Sequence, residues 1–266
     1  MLPPPDPTGT CLVTGASSGI GVALAEQLAG RGYNLVIVAR RADRLDDLAE
    51  RLRSAHRVLV EAAPCDLSDA AQREKLLASV AASGRRVDIL INNAGYGMSG
   101  RWLDLDPDVE REMIGVVVSA PLHLCRALIP DMVRRGSGAV LNMGSIASFQ
   151  PMPQMAAYGA AKAFSLSLTN ALHVELAGTG VTVTACCPGP VRTEFTAVAG
   201  GEEVAAGIPG FAWKEPEDVA AAALRGLARG RRLVTPGWVT STSSIAGRLA
   251  PQGPLLRLIN RLWQAD

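Results

Sequence analysis

Tyr158 and Lys162 stand one helical turn apart in the run Ala156-Ala157-Tyr158-Gly159-Ala160-Ala161-Lys162, which favours helix. A free phenol titrates at about 10, and an ammonium on the same helix face favours its ionised form. Ser145 ends an apolar, strand-like run upstream, where a hydroxyl can donate to a substrate oxygen and position it. Much earlier, Thr14-Gly15-Ala16-Ser17-Ser18-Gly19-Ile20-Gly21 joins another apolar run to a helix. Gly15, Gly19 and Gly21 let the backbone turn tightly and approach a pyrophosphate, and Ser17, Ser18 and Ile20 share that loop. The helix that follows offers free N–H groups and the positive end of its dipole. The combination suggests nicotinamide hydride chemistry, with Tyr158 as the acid at a carbonyl oxygen. Each part also has a plainer reading: a helix-surface pair, a serine capping a turn, a purely structural glycine turn.

The elements that must position these groups are legible as alternating patterns. Strand candidates are 11–14, 35–39, 58–62, 89–92, 139–143, 181–186 and 233–235. Helices are expected over 19–31, 44–53, 70–82, 109–134, 158–177 and 216–228. Apolar strands alternating with helices predict an α/β fold: a Rossmann-like, doubly wound parallel sheet in a three-layer αβα arrangement. A single domain over 1–266 is expected, with no repeat and no dividing linker. Residues 193–214, rich in Gly and Ala with Phe195, Phe211 and Trp213, read as a lid or as a surface connection. The tail, 238–266, carries helical apolar spacing; it would pack on its own subunit or a partner, close the pocket, or touch a membrane surface peripherally.

The second strand ends at Ala39, followed by Arg40 and Arg41. An acidic residue there would accept from the adenosine ribose hydroxyls; two guanidiniums suit a 2′-phosphate instead. NADP(H) is therefore preferred, NAD(H) remains open, and a solvated basic turn is the alternative. Asp66 and Leu67, after the third strand, are placed for the adenine. Asn93, Ala94 and Gly95 end the fourth strand, where small residues allow close approach and Asn side chains can bridge strands. Pro188, Gly189 and Val191 form a rigid turn that presents Thr193 to a nicotinamide carboxamide, or a turn with no ligand. Met98, Ile146, Ala147, Phe149, Met152, Met155, Phe195 and Phe211 are the apolar pocket candidates.

Composition narrows the classes. The chain has 266 residues, 48% hydrophobic and only 4% aromatic, so its core should be aliphatic. A net charge of +1 gives no support to nucleic-acid binding. Five irregularly spaced cysteines argue for buried thiols rather than a disulfide framework, and three scattered histidines suggest no metal site. The proline-rich start lacks the pattern of a secretory signal, and no run is expected to match a membrane-spanning helix. A cytoplasmic protein is expected.

The motifs Thr14–Gly21, Asp66, Asn92–Gly95, Ser145, Tyr158, Lys162 and Pro188–Thr193, in that order and spacing, resemble the short-chain dehydrogenase/reductase family, in its Tyr-x-x-x-Lys branch. The resemblance implies a seven-stranded sheet, a nicotinamide cofactor, a small carbonyl or alcohol substrate and a homodimer or homotetramer. It also implies a hydrogen bond from Lys162 to the nicotinamide ribose. One position departs from the pattern. The family carries an asparagine in the long helix between strands four and five, where it helps hold a water beside the lysine; here Val117 stands in its place. Valine has no polar side-chain atom for that task. A cofactor-binding sensor with vestigial catalysis is the alternative this leaves open.

Overall fold

The structure, a computed structural model, describes residues 2–200, 208–237, 240–242, 253 and 256. Seven strands make one sheet: β1 (Gly9–Thr14), β2 (Leu35–Ala39), β3 (Val60–Pro64), β4 (Arg86–Asn92), β5 (Gly138–Met143), β6 (Val181–Cys186) and β7 (Leu233–Val234). Their order is β3-β2-β1-β4-β5-β6-β7 and every pairing is parallel. The chain reverses its direction of winding between β1 and β4, so a crevice opens at the carboxyl ends of those strands.

The strands bury both faces, and their side chains alternate between two cores. Cys11, Val13, Ile37, Ile89 and Leu141 face one cluster with α1 (Gly19–Ala29), α2 (Ala42–His56) and α7 (Pro216–Ala228). Leu12, Val36, Val38, Leu90 and Val140 face the other. There they meet α3 (Ala70–Ala82), α5 (Ala120–Arg135) and the C-terminal part of α6 (Ala156–Glu175). All five cysteines are free and buried.

Two sequence expectations change. The third strand runs over Val60–Pro64, not 58–62, because pairing begins at Val60 opposite Leu35, while the Leu59 N–H is held by the Asn34 side chain at 3.0 Å. The single helix expected over 109–134 is interrupted: α4 (Pro107–Ile114) passes through a π-helical turn at Gly115–Ser119 before α5. Pro121 lacks an N–H, and its ring crowds the carbonyl of residue i−4, which is Val117. Widening the turn relieves that clash. Ser165 donates to the displaced Val117 carbonyl at 3.4 Å.

A third expectation fails as well. Pro107–Arg135 is long and apolar enough to match a membrane span by composition. Its apolar stripe is the reason: Ala120, Leu124, Cys125, Ile129 and Met132 are buried in the core facing the sheet. Most of the tail, 238–266, and residues 201–207 of the expected lid lie outside the described residues.

Candidate active site

The carboxyl ends of β1, β4, β5 and β6 converge on one cleft of about 510 Å³. That is the size of an ordinary small-molecule site. Gly15, Ser17, Ser18, Gly19 and Ile20 form one wall. Arg40, Arg41, Asp66 and Leu67 stand at one end. Asn93, Ala94 and Gly95 line the middle; Ser145, Tyr158 and Lys162 stand at the far end with the turn of Pro188, Gly189 and Val191 beside them, and Thr193 reaches back to Gly19. Gly21 alone among the expected cofactor residues does not line the cleft. Its missing Cβ lets α1 pack on the Gly15 carbonyl, so its role is in packing.

At its glycines the loop packs too closely on its neighbours to carry side chains. Gly15 and Gly19 take positive φ angles of 68° and 53°. A Cβ at Gly15 would stand 2.7 Å from the Ala94 Cα, and one at Gly19 2.7 Å from the Thr193 Cγ2. Helix α1 then begins at the cleft wall without a side-chain cap and without an acidic residue in its first turn. The first N–H groups of α1 are thus left for an anion facing the cleft. These features fit a dinucleotide pyrophosphate.

Neighbouring side chains fix the loop. Thr14 Oγ1 accepts from the N–H groups of Asn93 and Ala94 at 2.9 and 3.0 Å. Asn93 Nδ2 donates back to the Thr14 carbonyl at 2.9 Å. Asn93 therefore clamps β1 to β4 with its side chain. Asn92 bridges to Asn142 on β5 at 2.8 Å, the strand-bridging role expected of an Asn here. Asp66 caps its own turn, accepting from the Ser68 N–H and hydroxyl. Arg73, which the sequence reading missed, is buried beneath that turn and donates to the Leu67 and Ser68 carbonyls.

Ser145 is extended at the end of β5 and caps a short 3₁₀ turn, Ile146–Phe149. Its Oγ accepts from the Ala147 N–H, and its own N–H donates to Ser148 Oγ, both at 3.1 Å. This reciprocal cap holds the hydroxyl rigidly, and it is hydrogen-bonded to the Tyr158 hydroxyl. Both Tyr158 and Lys162 are buried on the inner face of α6. Burial pushes the Tyr158 phenol up to about 12, against the lowering effect of Ser145. Burial likewise pulls the Lys162 ammonium down to about 8. Lys162 Nζ donates to the Met143 carbonyl at 2.8 Å and lies 5.7 Å from the centre of the Tyr158 ring. Lys162 was expected to lower the phenol; in this structure desolvation outweighs any such effect.

Val117 sits in an apolar cluster with Met113, Ala147, Met155, Tyr158 and Ala161. A Cβ on Gly95 would lie 3.4 Å from Val117 Cγ2 and 3.5 Å from Lys162 Nζ, so the valine is close to the lysine. Val117→Asn would bring an amide into this cluster. It is expected to lower stability by about 1–3 kcal/mol, read by urea melts. Unchanged stability would mean that the amide finds a hydrogen-bonding partner beside Lys162.

The substrate end is apolar. Ile146, Met152, Met155, Phe195, Val198 and Trp213 line it, and the Phe195 ring packs on Tyr158 with centroids 5.4 Å apart. Ala147, also expected, is there too. Three pocket candidates are misplaced. Met98 does not line the cleft, Phe149 is buried with Ala185 and Cys187, and Phe211 is 66% exposed. The sequence reading missed Tyr96, Arg44 and Glu194, and gave Trp213 only as part of the lid stretch; Arg44 and Glu194 meet through long-range pairing that no local pattern marks. Among the described residues, no group of His, Cys, Asp or Glu could hold a metal ion.

Comparison with known proteins agrees with this fold. The family model for short chain dehydrogenases matches residues 9–203. Sulfoacetaldehyde reductase 2 of Chromohalobacter salexigens is 38% identical over 197 residues, covering 73% of this chain and 77% of that protein. A short-chain dehydrogenase from Sphingobium yanoikuyae in complex with NADPH superposes with a TM-score of 0.81 at 35% identity, over 97% of this chain and 98% of that one. The bulky-bulky ketone specific alcohol dehydrogenase of Comamonas testosteroni gives 0.77 at 30% identity, over 98% and 95%. A motif-bearing sheet that matches these enzymes along nearly its whole length leaves one assignment: the chain belongs to the short-chain dehydrogenases, oxidoreductases acting on alcohols and carbonyls.

Proposed function

We propose that this protein is an NADP(H)-dependent oxidoreductase for uncharged, apolar ketones and secondary alcohols, acting through Ser145, Tyr158 and Lys162. The observation that carries the reading is the convergence of these three side chains at the apolar end of a cleft whose other end holds the glycine loop and two arginines. A nicotinamide held by the glycine loop and the arginines would supply the hydride-transfer chemistry at the substrate carbon. Ser145 orients the substrate oxygen by donating a hydrogen bond. Tyr158 gives that oxygen its proton, and its burial keeps the phenol protonated at neutral pH. Lys162 steadies the phenolate left behind and the cofactor ribose beside it. Apolar side chains from the stretch read as a lid, Phe195, Val198 and Trp213, exclude water from the reacting groups. Assembly as a homodimer or homotetramer belongs to the same proposal.

The apolar lining favours uncharged substrates. Among the described residues at that end, Lys162 is the only cation, and its ammonium is engaged by the Met143 carbonyl. The nearest guanidinium among the described residues, Arg192, stacks on the Trp213 ring and is paired with Glu215 at 3.2 Å, so a sulfonate would find no free guanidinium among the described lining residues at that end. NADPH consumption with a panel of bulky ketones and with sulfoacetaldehyde tests this. The ketones are expected to have kcat/KM at least about tenfold higher, because an anion would be desolvated without a partner. Faster turnover of sulfoacetaldehyde would sink the substrate class. Tight NADPH binding with no turnover of any carbonyl would favour the sensor reading, which the apolar surroundings of Val117 support.

A further inference from the structure

Three arginines, Arg40, Arg41 and Arg44, follow β2 at the end of the cleft assigned to the adenosine ribose. Their side chains are not equivalent. Arg40 lies over the Tyr96 ring, 5.9 Å from its centre. Arg41 donates through Nε and Nη2 to Ser17 Oγ, at 3.2 and 3.0 Å. Its Nη1 pairs with Glu194 Oε2 at 2.9 Å, while Arg44 Nη1 takes the other carboxylate oxygen at 2.6 Å. Glu194 arrives from the opposite side of the cleft, directly after Thr193 and the turn that follows β6. Both arginines hold its carboxyl below the usual range, Arg44 most strongly.

Of the two cleft guanidiniums offered to a 2′-phosphate, Arg41 is therefore already engaged by a carboxylate. We propose that Glu194 is a specificity-determining residue: it occupies Arg41 and Arg44 as an internal stand-in for the 2′-phosphate, and NADP(H) binds by exchanging one anion for the other. This rests on the reading of Arg41 as a 2′-phosphate ligand. NAD(H) has no such phosphate and can bind with the Glu194 pairs intact. Glu194 thus narrows the preference that the arginines alone would confer. The pairs are partly exposed, with side-chain exposures of 40–45%, so the exchange is cheap and sensitive to salt.

The test is binding without substrate, read by the fluorescence of NADPH and NADH titrated with wild type, Glu194→Gln and Arg41→Met. Glu194→Gln keeps the size and an acceptor oxygen but removes the charge. It is expected to tighten NADPH by about three- to tenfold and to change NADH by less than about twofold, with the gain shrinking in high salt. Arg41→Met should abolish the difference between the cofactors. If Arg41→Met removes the difference and Glu194→Gln leaves it unchanged, the arginine reading stands and the exchange is wrong. If Arg41→Met leaves the difference intact, both fall. Weaker binding of both cofactors to Glu194→Gln would make the carboxylate a clasp that retains the dinucleotide, and would overturn the exchange. Glu194 is half-exposed, so a folded variant is expected; a thermal melt confirms it.

Discussion

Replacing Tyr158 with phenylalanine is expected to cut turnover by about 10²- to 10⁴-fold, the usual worth of a placed general acid. NADPH affinity should change by less than about threefold. The ring is what the fold uses: it packs on Phe195 and within the cluster around Val117, and phenylalanine keeps those contacts. What is lost is one hydroxyl and its hydrogen bond to Ser145. The protonation state of that hydroxyl also fixes a direction with pH. With the phenol pushed to about 12, the acid form is present throughout the neutral range, so carbonyl reduction should show no decline on Tyr158's account up to about pH 9. Alcohol oxidation needs the ionised form, and its rate should climb with pH over the same range. Stopped-flow NADPH oxidation and a fluorescence titration of the same variant separate the two effects. Equal turnover in variant and wild type would remove Tyr158 from the acid role, and a parallel loss of NADPH binding would mean the hydroxyl shapes the cofactor site instead.

The parts of this site that were legible in the sequence are those whose chemistry is local. A glycine that must take positive φ, or a Tyr–Lys pair on one helical turn, depends on near neighbours, so Gly15, Gly19, Tyr158 and Lys162 could be named from order and spacing. The parallel sheet was legible for the same reason, because strands buried on both faces read as unbroken apolar runs. Strand ends were not. The third strand begins where its partner begins, at Val60 opposite Leu35, and pairing leaves no trace in hydropathy. The π turn did have a signal in Pro121, but the apolar run over 109–134 concealed it. Glu194 had none. Its partners lie across the cleft at the start of α2, and an acidic residue in a Gly- and Ala-rich stretch looks like any solvated charge until the fold brings Arg41 and Arg44 to it.

Lys162→Met should remove most activity and, at the same time, reveal what the buried ammonium costs the fold. The folded protein binds the Lys162 proton with a pKa of about 8, against the ordinary 10.5 of an exposed lysine. The unfolded chain therefore holds this proton more tightly. Below about pH 8 both states are protonated and the full penalty is present. As pH rises from 8 towards 10.5 the folded state sheds its proton first, and the penalty is relieved. Each pH unit in that window is worth about 1.4 kcal/mol. The buried thiols act oppositely: burial raises Cys11, Cys125, Cys186 and Cys187, so ionisation of the unfolded chain erodes stability at high pH. Cys11, Cys125 and Cys186 are common to both proteins and cancel when wild type and variant are compared; Cys187, which Lys162 lowers, rises further in the variant and moves the difference in the same direction. Between pH 7 and pH 10 the stability difference, wild type minus Lys162→Met, should move by about 2–3 kcal/mol in favour of wild type. At pH 7 the variant should be at least as stable as wild type, because losing the buried charge offsets the loss of a donor to the Met143 carbonyl. Urea melts at the two pH values measure this. A difference that stays flat with pH would mean the ammonium is solvated as readily as a surface lysine, and Lys162 would then lack the desolvation that makes its charge effective on Tyr158 and a bound ribose.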